Sequence, residues 1–233
     1  MKHYINILIS LMVLGTAGIL NGQSKTNDIG IEGGPGLSII HAKTGMYSHS
    51  GFSTGGISGV FYQYNFNNIF SIRIASNYER KGNRLESKSD QLPPGDFIYH
   101  FDYLSLPLLF KVSLGNKIKV FANTGPCFSY LMNQSLYFKP KSGKTYKLDS
   151  ETNDFKSYDL GILFGIGLSI PIRDRFLFSI EIRDNIGLVS IRDNYEQLDS
   201  FGYFKGDVGQ RFNAYTNSAS FIIGFAYRFS NSR

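Results

Sequence analysis

Six ionisable residues stand out by position: Glu32, Arg73, Asp159, Glu181, Arg183 and Arg228. Each sits on the small-residue side of a stretch whose other side is large and apolar. Acids and arginines held between small side chains can do one of two things. They neutralise one another as a buried ion-pair network, because a buried charge is costly unless paired, or they line a path for protons or solute. His100 and Asp102 are a second candidate. Two residues apart, they share a strand face, and the spacing lets a carboxylate orient an imidazole as in general acid–base work. No second acidic pair accompanies them at matching depth, so an ordinary polar strand end is the first reading. His41 and His49 occupy one polar segment without a further ligand motif, which is too little for a metal site. Cys127 is the only cysteine. It permits no internal disulfide in an exported chain and reads as an inert inward thiol. No residue is assigned to catalysis, to a cofactor or to a metal. Gly33-Gly34-Pro35-Gly36 lacks the Lys-Ser/Thr that completes a phosphate loop.

The elements that must position these groups are strands. Residues 221–229 alternate Phe221, Ile223, Phe225, Tyr227 and Phe229 with Ile222, Gly224, Ala226 and Arg228, which is the period of two of a β-strand. Tyr158, Leu160, Ile162, Phe164, Ile166, Leu168 and Ile170 likewise alternate with Asp159, Gly161, Leu163, Gly165, Gly167 and Ser169. Phe70, Ile72, Ile74 and Tyr78 oppose Ser71, Arg73, Ala75, Asn77 and Glu79, and Phe176, Phe178, Ile180 and Ile182 oppose Ser179, Glu181 and Arg183. Eight strands are predicted, at about 29–40, 56–66, 69–80, 97–112, 117–132, 157–170, 176–190 and 217–229. In the fourth, the apolar face changes parity near Tyr103, which predicts a bulge there. Pro107, with no N–H to donate, adds local irregularity.

The connections alternate in length. Asn67-Asn68, Gly115-Asn116 and 171–175 are short turns rich in turn formers. The segments 41–55, 81–96, 133–156 and 191–216 are long and polar. Up-and-down transmembrane barrels segregate their connections this way, with short periplasmic turns and longer extracellular loops. Eight strands place both ends of the barrel on the short-turn side.

Composition agrees. The 233 residues suit a single all-β domain; 25 glycines and 15% aromatic residues, with no Trp, favour strands and turns, and charged residues are only 18%. Mean hydropathy is −0.13, so nothing suggests a helical membrane protein, whereas a barrel wall hides its apolar face from averaged hydropathy. The formal net charge of +6 is scattered without a basic run, which argues against a nucleic-acid partner. Residues 1–22 read as a secretory signal. Lys2 and His3 precede a mostly apolar run to Leu20 that is too short for a spanning helix, and Gly22-Gln23 is the expected junction. The remaining 23–233 form the barrel domain.

Several segments together resemble the PorT-like family of outer-membrane β-barrel proteins from Gram-negative bacteria: 103–111 (YLSLPLLFK), 123–126 (NTGP), 159–167 (DLGILFGIG), Ile180-Glu181-Ile182-Arg183 to Gly187-Leu188, and 224–229 (GFAYRF). The resemblance implies an all-β, antiparallel up-and-down transmembrane barrel of about eight strands. The name-giving member is associated with a protein secretion system. The expectation is therefore an integral outer-membrane barrel without catalytic activity, in a structural, secretion-related or surface-interaction role. Its expected partners are outer-membrane lipid, the barrel-assembly machinery during insertion, and a secretion-system or surface partner; no cofactor is expected. Two alternatives stand beside this reading. One is an outer-membrane enzyme acting on lipid or peptide at the extracellular rim. The other is a periplasmic lipocalin-like binder, whose outer strand faces should be polar.

Overall fold

The computed structural model describes residues 25–42, 50–86, 94–148, 155–173, 175–192 and 213–230. Ten strands follow one another: β1 (Thr26–Ala42), β2 (Ser50–Gly51), β3 (Ser53–Asn65), β4 (Phe70–Glu86), β5 (Gly95–Leu114), β6 (Lys119–Pro140), β7 (Tyr146–Leu148), β8 (Tyr158–Arg173), β9 (Phe176–Gly187) and β10 (Ala214–Ser230). Eight of them close a ring in the order β4-β3-β1-β10-β9-β8-β6-β5, with β5 pairing back onto β4. The short β2 and β7 only extend β4 and β6. All pairings are antiparallel, and the first and last wall strands meet from Thr26↔Ser230 to Ala42↔Ala214. A closed ring satisfies every backbone group between strands, which is what hydrocarbon demands of a spanning sheet.

The alternation sorts the side chains as predicted. Outward positions carry Ile29, Ile31, Val60, Ile74, Leu106, Leu108, Phe110, Phe164, Ile166, Ile182, Phe221 and Ile223, all exposed. Ile166 is 60% exposed to the surroundings of the ring, whereas Asp159, Glu181 and Arg183, of the opposite parity, are buried inside. Such an inside-out arrangement is stable only if the surroundings are apolar. Aromatic side chains collect at both edges of the band. Tyr130 and Tyr158 pair across β6 and β8 at one edge; Tyr64 with Phe66, and Phe176 with Phe225 and Tyr227, cluster at the other.

The wall departs from a plain ladder at several points. The register shifts between Asp102 and Tyr103, where the change of parity predicts a bulge. On the β4 side of Pro107 the pairing passes from Leu108 to Ser105 without an intervening partner, the mark of its missing N–H. The strands also run further than predicted at the long-connection end. β4 continues through Lys81-Gly82-Asn83-Arg84 to Glu86, and β6 continues through 133–140, so parts of the segments read as loops are wall. The 22 residues of β6 correspond to roughly 70 Å of strand, against an apolar band about 25 Å tall. The paired ends of β5 and β6 on the long-connection side, Gly95↔Pro140 to Asp102↔Asn133, therefore project well beyond the band.

Candidate functional site

The lumen is filled by side chains arranged in groups along its axis. In the middle lies a cluster of two acids and two arginines. Arg183 donates from Nε and Nη2 to Glu181 (2.6 and 3.0 Å) and from Nη1 and Nη2 to Glu32 (2.8 and 3.2 Å). Arg73 donates from Nη1 to Glu32 Oε2 at 3.2 Å and lies 3.9 Å from Glu181 Oε2. Asn77 adds a bond to Glu32 and Asn123 one to Glu181. The Arg183 and Glu32 side chains are 2% and 1% exposed. Four strands converge on this point: β1, β4, β8's neighbour β9, and β6 through Asn123. Formal charges cancel, and the bidentate arginine geometry suits a dry site.

Glycines on the inner face of β8 make the cluster possible. A Cβ on Gly165 would collide with Glu181 Oε1 and Asn123 Oδ1, and one on Gly167 would come within 2.6 Å of the Phe121 ring. The small-residue parity read in β8 is thus the space in which the neighbouring strands' side chains lie.

The other two predicted residues do not join this cluster. Asp159 lies higher, toward the long connections. There its Oδ2 accepts from Thr216 at 2.6 Å and meets Lys81 Nζ at 3.3 Å. Glu79 stands beside it, accepting from Ser105 and Ser218 and lying 3.9 Å from Lys81. Arg228 lies lower, toward the short turns, in a bidentate pair with Asp28 at 2.7 and 2.9 Å; Gln63 and Asn65 also donate to Asp28. Arg228 therefore does not meet Arg73, Glu181 and Arg183 across the lumen as its shared parity allowed. Parity places a side chain inside but not at a height. The height follows from the stagger between strands.

Sequence reading missed Lys81 and Lys111 as interior cations. Lys81 falls in a stretch read as loop, although it continues the parity of Arg73, Asn77 and Glu79. Lys111 shares the parity of Leu109 and Ser113 in β5 and could have been found the same way. Its ammonium lies 3.6 Å from the centroid of the Phe121 ring, as the Arg73 guanidinium lies 4.0 Å from that of Phe61, both cation–π distances.

Above Lys81 the lumen turns apolar. Phe101, Tyr103, Ile191, Ile40 and Ala214 are buried together, with Tyr99, Leu131 and Phe155 packed against them. Phe101 and Phe155 meet edge to face at 4.7 Å. Free space is distributed unevenly. A cavity of about 340 Å³ opens among the short turns, lined by Asp28, Arg73, Lys111, Ser113, Lys119 and Arg228 among others. On the far side of the central cluster lies a cavity of about 10 Å³, no more than a single water requires.

The remaining candidates resolve into structural roles. Asp102 accepts from Arg80 at 2.6 and 3.1 Å and from Asn133, while His100 lies beside the Tyr137 ring. The carboxylate thus serves an arginine rather than orienting the imidazole. Cys127 is buried with Leu109 and Leu163. His49 lies outside the described residues, and among those described no group of three His, Cys, Asp or Glu side chains is placed to hold a metal.

Comparisons with known proteins point to the same architecture. The outer membrane protein OprG from Pseudomonas aeruginosa is similar in structure at 13% identity and a TM-score of 0.51, over 89% of this chain and 98% of that one. Ail, the attachment invasion locus protein of Yersinia pestis, is similar at 15% identity and a TM-score of 0.40, over 87% and 99%. No curated protein matches the chain. A family model described as the outer membrane protein beta-barrel domain matches residues 21–193, from before β1 to beyond β9, and β10 completes the ring that those strands begin. Because that model spans well over half of the sequence, the chain belongs to the family of outer membrane proteins with a β-barrel domain.

Proposed function

We propose that the protein is a plugged, non-catalytic barrel that anchors a projecting β-structure at the cell surface for interaction with another macromolecule. The single observation that carries this reading is the dry Glu32–Arg73–Glu181–Arg183 cluster across the mid-lumen, with an apolar plug above it. A solute path needs water or exchangeable ligands along its length, and the charges here are spent on one another. Strands that continue past the apolar band, above all the long-connection ends of β5 and β6, provide the surface that a rim partner would meet. The apolar outer faces weigh against a periplasmic lipocalin-like binder, and Asp102 is committed to Arg80 rather than to an acid–base pair with His100, which weighs against a rim enzyme. The finer assignment to the PorT-like group, with a secretion-linked partner, rests on segments 103–111 and 123–126. In the same reading residues 1–22 are removed after export.

The test is conductance of the purified full-length barrel in a planar bilayer. A plugged stem gives no steady open level. A stable open conductance that survives repeated reconstitution would overturn the reading.

A further inference from the structure

The cavity among the short turns is rich in cations, whereas the Lys81 group higher in the lumen sets two acids, Glu79 and Asp159, against one lysine. Arg73 is balanced within the central cluster by Glu32 and Glu181, and Arg228 is balanced by Asp28. Lys111 and Lys119 also line this cavity, and among the described residues neither has a carboxylate within ion-pair distance. Lys119 Nζ donates to the Asn68 carbonyl at 3.1 Å. Lys111 is 4% exposed, and its described partner is the neutral face of Phe121. The ring lies against Lys111 because Gly167 leaves room for it. Among the described residues two amines therefore face this space without a carboxylate partner, and one of them, Lys111, is buried at its inner wall. Ser71 and Ser113, both buried, add hydroxyls to the same lining. At about 30 Å³ of liquid volume per water, the cavity holds several waters or one small organic anion.

We propose that this vestibule is a binding site for a small oxyanion of the phosphate or phosphate-monoester class, seated against Lys111 with Lys119 at its mouth. A bound dianion favours the protonated form of both amines more than a monoanion does. Ammonium and hydroxyl donors make charge-assisted hydrogen bonds to phosphate oxygens. The site lies inside the strand ring, so lipid headgroups, which sit outside the wall, do not reach it; the anion enters from the aqueous space at the short-turn end, the periplasmic side in barrels of this kind. This inference is independent of whether the upper rim has a partner.

The probe is inorganic phosphate, titrated by calorimetry into the full-length protein folded in a lipid-free, phosphate-free detergent. Sodium chloride and sodium acetate at matched ionic strength serve as references. Phosphate binds saturably with one site per chain and raises the unfolding midpoint; acetate binds more weakly and chloride not at all. Lys111→Met loses affinity by about tenfold or more, the loss expected for one charge-assisted contact. Ser113→Phe, which fills the cavity and keeps both lysines, abolishes binding. If neither variant folds, the wild-type titration decides. Absence of saturation, or equal responses to phosphate and chloride, overturns the proposal, as does wild-type affinity in Lys111→Met.

Discussion

The arginine–carboxylate pairs of the mid-lumen and those of the outer rim look alike in distance and differ in surroundings. Arg183 meets Glu181 at 2.6 Å, and Arg84 meets Asp96 at 2.6 Å. Yet the Arg183 side chain is 2% exposed and that of Arg84 is 51% exposed. Between them stands Arg228, 29% exposed and 2.7 Å from Asp28. Distance alone would rank the three equally. What separates them is the medium, since the same two charges interact far more strongly when water is excluded and leave a far larger penalty when one partner is removed. The Arg183 and Arg228 pairs thus compare the middle and the mouth of the lumen, and the Arg84 pair, on the outward parity of β4, reports the open outer face.

The largest effect is expected at the centre. Glu181→Gln keeps the side-chain shape and removes one of the two anions that balance Arg73 and Arg183. It should lower stability by about 3–5 kcal/mol, read as a reduced guanidinium unfolding midpoint of the detergent-folded barrel. A change below 1 kcal/mol would mean that water screens the cluster, and the distinction between centre and rim would fail.

The parity that puts Glu32, Arg73, Asp159, Glu181, Arg183 and Arg228 on the inner face was legible in the sequence because a membrane barrel enforces it on both faces. Lipid selects Phe, Ile and Leu outside, and the narrow lumen selects small or paired residues inside. Eight strands and their order of short and long connections follow from the same constraint. Two things were not legible. Above the apolar band neither face of a hairpin must be apolar, so Lys81-Gly82-Asn83-Arg84 carries no alternating signal although it is strand. The split of the interior charges into a central cluster, an Asp159–Lys81 group and an Asp28–Arg228 pair depends on the stagger of eight strands round a closed ring. That is a property of the whole sheet, and no single strand's pattern contains it.

The intermediate position sharpens the comparison. Arg228→Met removes the bidentate partner of Asp28 but leaves the Gln63 and Asn65 amides donating to that carboxylate. The loss should be about 1.5–3 kcal/mol, the range for hydrogen bonds to a charged group, measured by the same unfolding midpoint. A loss as large as that of Glu181→Gln would place the mouth of the barrel in the dry interior, in conflict with the open cavity beside it.

The rim is where the smallest effect is expected, and its smallness is the informative result. Arg84 and Asp96 meet across β4 and β5 through Nη2 and Oδ2 at 2.6 Å, Asp96 lying two residues along β5 from Ile98, the register partner of Arg84. A distance that short invites a strong assignment. Half of the arginine side chain is nevertheless open to solvent, so ordering it costs side-chain entropy, and the attraction it gains is that of a high-dielectric surface. Arg84→Ala should therefore cost about 0–1 kcal/mol. Part of that should disappear between low and high salt, because exposed charges are screened within a Debye length of about 8 Å at physiological ionic strength. The measurement is the unfolding midpoint of wild type and variant at two salt concentrations. Glu181→Gln supplies the contrast, since its penalty in a dry interior should hardly change with salt. If Arg84→Ala cost several kcal/mol independently of salt, the projecting β4–β5 segment would be packed against something that excludes water, and the rim would no longer be an open surface.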